Sequence, residues 1–227
     1  MVLRARLLPP FAALIALILT VTAPRPSASA PIEIPSDKAG SALAVLYSGD
    51  GGWGPLDQGV ARQLADNGVP TLGVDSLRYF LIKRSPQEAA DDLAVSLRRY
   101  EALWKRQDIV LVGYSFGANA LPAIIPALPA DLRDHVKSVV LIGTGPTGDL
   151  TFRPASWFDH FGPDAYPVAP AIAALKGLKT TCVYGDQERH DICASLPADI
   201  AQVRLPGGHH FNGDYVDLGQ AVLRAAG

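Results

Sequence analysis

From residue 42 onward the chain alternates short, almost purely apolar runs with longer stretches whose apolar positions recur every three or four residues. The runs at 42–47, 71–74, 109–113, 138–143, 180–184 and 201–205 read as strands, and their near-continuous apolar character fits strands covered on both faces. Stretches 55–67, 86–105, 116–128 and 215–226 read as helices. In the second of these, Ala89, Leu93, Val95, Leu97, Tyr100 and Leu103 form the stripe expected to face the core. Such alternation predicts an α/β fold, a mostly parallel sheet of about six strands with helices on both faces. Residues 146–170 break the rhythm yet hold Phe152, Trp157, Phe158, Phe161 and Tyr166. They are expected to form a packed surface loop or a minimal lid beside a site.

The N-terminus follows another pattern. Arg4 and Arg6 precede an apolar run at 11–21 and then small residues and prolines, the layout of a secretory signal. That run is shorter than the roughly 20 residues a bilayer-spanning helix needs. The expected organisation is a signal peptide over 1–30 and one domain over 31–227. Removing residues 1–30 takes away three arginines and no acid, so the net charge falls from −2 to −5.

Composition narrows the picture. A chain of 227 residues with 48% hydrophobic and 19% charged side chains suits one globular core. Twenty Lys and Arg against 22 Asp and Glu, without a basic cluster, argue against a nucleic-acid partner. Cys182 and Cys193 are too few for a four-ligand zinc site. In an oxidising compartment they are expected to pair, and closing so short a loop is worth about 2.8 kcal/mol. No metal or organic cofactor is expected, since His209 and His210 lack neighbouring ligands at a metal-site spacing.

The strongest local signal is the run from Ile109 into Gly113-Tyr114-Ser115-Phe116-Gly117, a strand that enters G-x-S-x-G and leaves as a helix. This is the pattern of a nucleophile elbow, in which the glycines permit a sharp turn that lifts the serine above the sheet. Ser115 is the expected nucleophile and the Phe116 N–H an oxyanion donor. A glycine-flanked serine that merely caps a helix is the alternative. A serine needs a base, and the expected chain order is serine, acid, histidine. His210, placed just before Phe211 in a Gly-rich turn, is the expected base, with His209 as the alternative. Among the carboxylates after the strand at 180–184, Glu188 is the expected acid, Asp191 the second candidate and Asp186 the third. The glycine-rich turn Ser48-Gly49-Asp50-Gly51-Gly52-Trp53 follows the first strong strand, where the second oxyanion donor belongs. Asp50 N–H is the expected donor and Gly51 the next. The turn lacks the Lys and Ser/Thr of a phosphate-binding loop. Trp53 is either a packing anchor or a wall of the substrate site.

Ser48-Gly49-Asp50-Gly51-Gly52-Trp53, Gly73-Val74-Asp75-Ser76-Leu77-Arg78-Tyr79-Phe80, the elbow, the Cys182 to Cys193 segment and Gly207-Gly208-His209-His210-Phe211-Asn212-Gly213-Asp214-Tyr215 together resemble the VirJ/AcvB family of bacterial virulence proteins. The resemblance implies a periplasmic protein of α/β-hydrolase fold. It further implies hydrolysis of the aminoacyl ester of aminoacylated phosphatidylglycerol, lysyl- or alanyl-, at the membrane surface, and an association with type IV secretion proteins. On that reading Asp50, Asp57, Asp75, Asp186 and Asp214 are candidates to favour a cationic aminoacyl group, and Arg78 to face the lipid phosphate. An esterase acting on a soluble substrate and a non-catalytic periplasmic adaptor remain as alternatives.

Overall fold

The computed structural model describes residues 31–158 and 160–227, so the expected signal peptide lies outside the described residues. Nine strands are present among the described residues. β1 (Ile32–Ile34), β2 (Ala42–Tyr47), β3 (Thr71–Val74), β4 (Asp108–Tyr114), β5 (Val136–Ile142), β8 (Lys179–Gly185) and β9 (Ala201–Leu205) form one sheet, while β6 (Thr147–Gly148) and β7 (Tyr166–Pro167) pair separately. The large sheet runs β1-β3-β2-β4-β5-β8-β9, parallel throughout except for β1 against β3. All six expected strands are there. The seventh, β1, is a three-residue edge strand with Glu33 at its centre, too short to show a period.

Helices α1 (Pro55–Asp66), α2 (Ser76–Tyr79), α3 (Pro86–Trp104), α4 (Phe116–Ile124), α5 (Ala130–Arg133), α6 (Val168–Ala173) and α7 (Tyr215–Ala226) complete the fold. Alternate residues of each central strand face opposite layers. Leu43, Val45 and Tyr47 pack with residues of α3, α4 and α6, whereas Ala44 and Leu46 pack with residues of α1 and α7. α1 and α7 lie close because Gly59 and Gly219 have no side chain: a Cβ on either would stand 2.6 Å from Tyr215 or Gln63.

Two expectations are corrected. Val95 and Leu103 are exposed at 71% and 57%, although both were expected in the core. At about 100° per residue, Val95 lies about 120° or more from every member of the stripe formed by Ala89, Leu93, Leu97 and Tyr100, whereas Leu103 lies only about 60° from Tyr100 and is exposed in the last turn of α3, which ends at Trp104. The helix expected over 116–128 ends at Ile124 and tightens into a 3-10 turn at Ile125–Ala127. Pro126 has no N–H to continue the α-helical ladder.

Strand order sets the site. From β2 the chain winds outward to β3, then returns to β4 on the other side and continues through β5, β8 and β9. The carboxyl ends of β2 and β4 therefore flank the reversal, which is where parallel sheets open a crevice.

Candidate active site

Ser115 stands between β4 and α4 with φ 52° and ψ −112°. A positive φ in a non-glycine residue is costly and persists only where its surroundings enforce it. Two backbone bonds do so: Ser115 N–H donates to the Ile142 carbonyl at 2.8 Å, and Gly117 N–H to the Ser48 carbonyl at 3.1 Å. The flanking glycines are required by space. A Cβ on Gly113 would lie 2.6 Å from the Gly117 and Ala118 backbone, and one on Gly117 2.3 Å from the Tyr47 carbonyl oxygen.

The histidine beside the serine is His209, which corrects the expectation for His210. His209 Nε2 lies 2.9 Å from Ser115 Oγ, and its Nδ1 lies 3.0 Å from Glu188 Oε2. A carboxylate only accepts, so Nδ1 carries the proton and Nε2 is free to accept from the serine hydroxyl. His210, the next residue, points its Nδ1 at the Tyr114 hydroxyl at 3.0 Å. The turn explains the exchange: Gly207, Phe211 and Asn212 all have positive φ, so the backbone coils tightly and adjacent side chains diverge. His209 packs against Gly143, where a Cβ would stand 3.0 Å from its ring.

Glu188, the first choice for the acid, is the carboxylate that meets the histidine. Asp191 instead accepts from Thr144 N–H at 2.7 Å and Cys193 N–H at 2.6 Å, fastening the acid loop to the end of β5. Burial pushes its carboxyl up to about 6 against the lowering effect of those two bonds. Asp186 accepts from Gly207 N–H at 2.9 Å and supports the histidine turn. Cys182 and Cys193 form a disulfide that closes the loop containing Glu188 and Asp191. Cys182, Asp191 and Cys193 are the one group of potential metal ligands among the described residues, and the disulfide occupies both sulfurs.

A cavity of about 520 Å³ opens beside Ser115, lined by the turn from Gly49 to Gly52, the start of α1, Tyr114, both histidines and Tyr215. Phe116 begins α4, so its N–H has no partner within the helix and lies next to the serine. Asp50 and Gly51 form the tip of a turn closed by Gly52 N–H to the Gly49 carbonyl at 3.1 Å. Asp50 and Gly51 line the cavity together with Ser115, and Phe116 follows the serine directly in the chain.

Of the residues expected to touch substrate, Asp57 and Asp50 line the cavity and Trp53, Asp75 and Arg78 do not. Trp53 is a packing anchor whose ring covers Gly73, at 2.5 Å from where a Cβ would be. Asp75 caps α2 by accepting from Arg78 N–H at 3.1 Å, and the Arg78 side chain bridges back to it at 3.4 Å while 74% exposed. Trp157, which sequence reasoning placed only in the aromatic span, joins the site: its indole N–H donates to the Asp50 carboxylate. It belongs to a 3-10 turn, Pro154–Phe158, in the span expected to be a surface loop or a lid.

The model of the family described as "Bacterial virulence protein (VirJ)" matches residues 41–226. No curated protein sequence matches the chain significantly. Solved structures share its architecture at low identity. Est1E from Butyrivibrio proteoclasticus superposes with a TM-score of 0.55 at 14% identity, covering 86% of this chain and 96% of that one. The esterase domain of a Rhodothermus marinus protein gives 0.57 at 15%, covering 84% and 88%. XC6422 from Xanthomonas campestris, described as an α/β serine hydrolase without lid, gives 0.54 at 16%, covering 88% and 94%. The fold is that of the α/β hydrolases.

Proposed function

The chain belongs to the VirJ family of bacterial virulence proteins, and from that premise and the geometry of its site we propose that it is an exported serine ester hydrolase acting on the aminoacyl ester of aminoacylated phosphatidylglycerol. The observation that carries the hydrolase reading is the continuous relay Ser115 Oγ, His209 Nε2, His209 Nδ1, Glu188 Oε2, with steps of 2.9 and 3.0 Å. The aminoacyl-lipid substrate rests on the family resemblance and on the acidic cavity beside the serine.

In the proposed reaction Ser115 Oγ attacks the aminoacyl carbonyl as its proton passes to His209 Nε2. The carbonyl oxygen becomes an oxyanion held by the Phe116 and Asp50 N–H groups, each such donor being worth about 2.7 to 4 kcal/mol. Glu188 stabilises the imidazolium. The C–O bond to glycerol then breaks, and the leaving oxygen takes the proton from His209. Water attacks the acyl-serine and gives a proton to His209, which returns it to Ser115 Oγ as the amino acid departs.

Export is supported by the disulfide, which suits an oxidising compartment. Among the described residues no helix is long and apolar enough to cross a membrane. Contact with the lipid surface is supported by the exposed Leu81, Ile82, Trp157 and Phe158. Their segments are joined by Phe152 N–H to the Phe80 carbonyl at 2.7 Å, and Trp157 leads directly to Asp50.

The test is lipid mass spectrometry on extracts containing lysyl- and alanyl-phosphatidylglycerol, treated with the mature protein or its Ser115→Ala variant. Loss of the aminoacyl lipid with equal gain of phosphatidylglycerol, absent in the variant, is the expected result. Unchanged lipid alongside Ser115-dependent cleavage of a soluble ester would replace the substrate and keep the enzyme. No Ser115-dependent cleavage of any ester would leave the adaptor.

A further inference from the structure

We propose that the cavity beside Ser115 binds a cationic group of the substrate, with Asp57 as its buried counter-charge and Asp50 at its rim. The proposal deepens the ester-hydrolase reading and rests on it, but it does not depend on the substrate being a lipid.

Charge in the cavity is one-sided. Asp50 and Asp57 line it, and no Lys or Arg does so among the described residues. The Tyr114 phenol on its wall is pushed upward first by burial and then by Asp57, Tyr215, Asp50 and Glu188, all of them acidic groups. The other carboxylates near the site do not line this cavity and have partners of their own: Glu188 at His209, Asp191 at Thr144 and Cys193, Asp75 at Arg78, Asp186 at Gly207 and Asp214 at Asp217.

Asp57 is different in kind. It is only 2% exposed, and its Oδ2 accepts from Gly54 N–H at 2.9 Å in the capping box of α1. Capping accounts for one oxygen. Oδ1 is buried with no hydrogen-bond partner among the described residues. A lone buried carboxylate is expensive unless a cation compensates it, and burial raises Asp57 to about 7. An ammonium group in the cavity supplies that charge through a low-dielectric wall, and the Tyr114 and Tyr215 rings are suited to receive it. A neutral or anionic group brings no compensating positive charge.

The test compares alanyl and propionyl p-nitrophenyl esters, which differ by the amino group, with each rate normalised to its spontaneous hydrolysis. The wild-type protein is expected to favour the alanyl ester in kcat/KM by about tenfold or more, mainly through KM. In Asp57→Asn, which keeps an acceptor for Gly54 N–H, the preference is expected to collapse toward unity. A second measurement needs no variant: n-butylammonium should inhibit propionyl ester hydrolysis, whereas the similarly sized 1-butanol should not. No preference in the wild-type protein, an undiminished preference in Asp57→Asn, or equal inhibition by amine and alcohol would each overturn the proposal. Preference for the alanyl ester without cleavage of aminoacyl lipid would leave the cation site standing and remove the lipid. Lipid cleavage without any preference would do the reverse.

Discussion

Glu188 meets His209 at 3.0 Å from within the loop that the Cys182–Cys193 disulfide closes. The acid is therefore anchored at both ends of its segment, by β8 on one side and by the disulfide and Asp191 on the other. Reducing the disulfide, or replacing Cys193 by Ser, is expected to cost about 2.8 kcal/mol of stability. It should also lower kcat more than it raises KM, because the acid orients the base and is placed away from the substrate cavity. Thermal melts and ester turnover with and without dithiothreitol measure both effects.

The adjacent histidines should separate cleanly. His209→Ala is expected to lower kcat by about 10⁴-fold or more, as removal of a triad base does. His210→Ala loses the contact with the Tyr114 hydroxyl and ring contacts with Tyr114 and His209, and its kcat should fall by no more than about tenfold, since no proton in the proposed reaction passes through it. Soluble ester kinetics on the two variants decide the order.

Asp57 gives a pH signature in stability. Its folded carboxyl titrates near 7, above the ordinary value of 3.8. The folded state therefore holds the extra proton between those values, and stability falls as pH rises through that window. Asp57→Asn has no such proton to lose. The variant should gain on the wild-type protein between pH 4 and 7, reach an advantage of a few kcal/mol, and keep it above pH 7. Urea unfolding at pH 5 and pH 8 tests the sign: a gap that narrows with rising pH contradicts it.

Trp157 ties its 3-10 turn to Asp50 and is 61% exposed. Replacing it by Ala removes little buried surface, so the melting temperature should hardly move. Turnover of aminoacyl lipid in vesicles should fall several-fold, and by more than turnover of a short soluble ester. Equal losses on both substrates would place Trp157 in positioning Asp50 rather than at the lipid surface.

Much of this was legible before any coordinates, for identifiable reasons. Strands β2, β4 and β5 are buried on both faces over residues 43–47, 109–112 and 139–142, so their apolar runs are unbroken there. The elbow announced itself because Gly113 and Gly117 have backbone atoms where a side chain would go. What escaped depends on direction. Whether His209 or His210 faces Ser115 is decided by the positive-φ turn around them, and no residue type at 209 or 210 records that rotation. Trp53 was ambiguous because an aromatic ring beside a glycine-rich turn serves a cavity or a core equally well in sequence terms. Trp157 reaches Asp50 across 107 positions, a pairing that periodicity cannot see.

The strained serine has a consequence for how the protein fails. Ser115 keeps its φ of 52° because the ends of β5 and β2 hold the residues on either side. Those anchors belong to the middle of the sheet, the part of a fold that opens last. The nucleophile has no private route to relaxation: it loses its geometry when the central strands part. Heat inactivation should therefore run in step with loss of the sheet, so that residual activity counts intact molecules while the rim around Trp157 changes only how well each of them works.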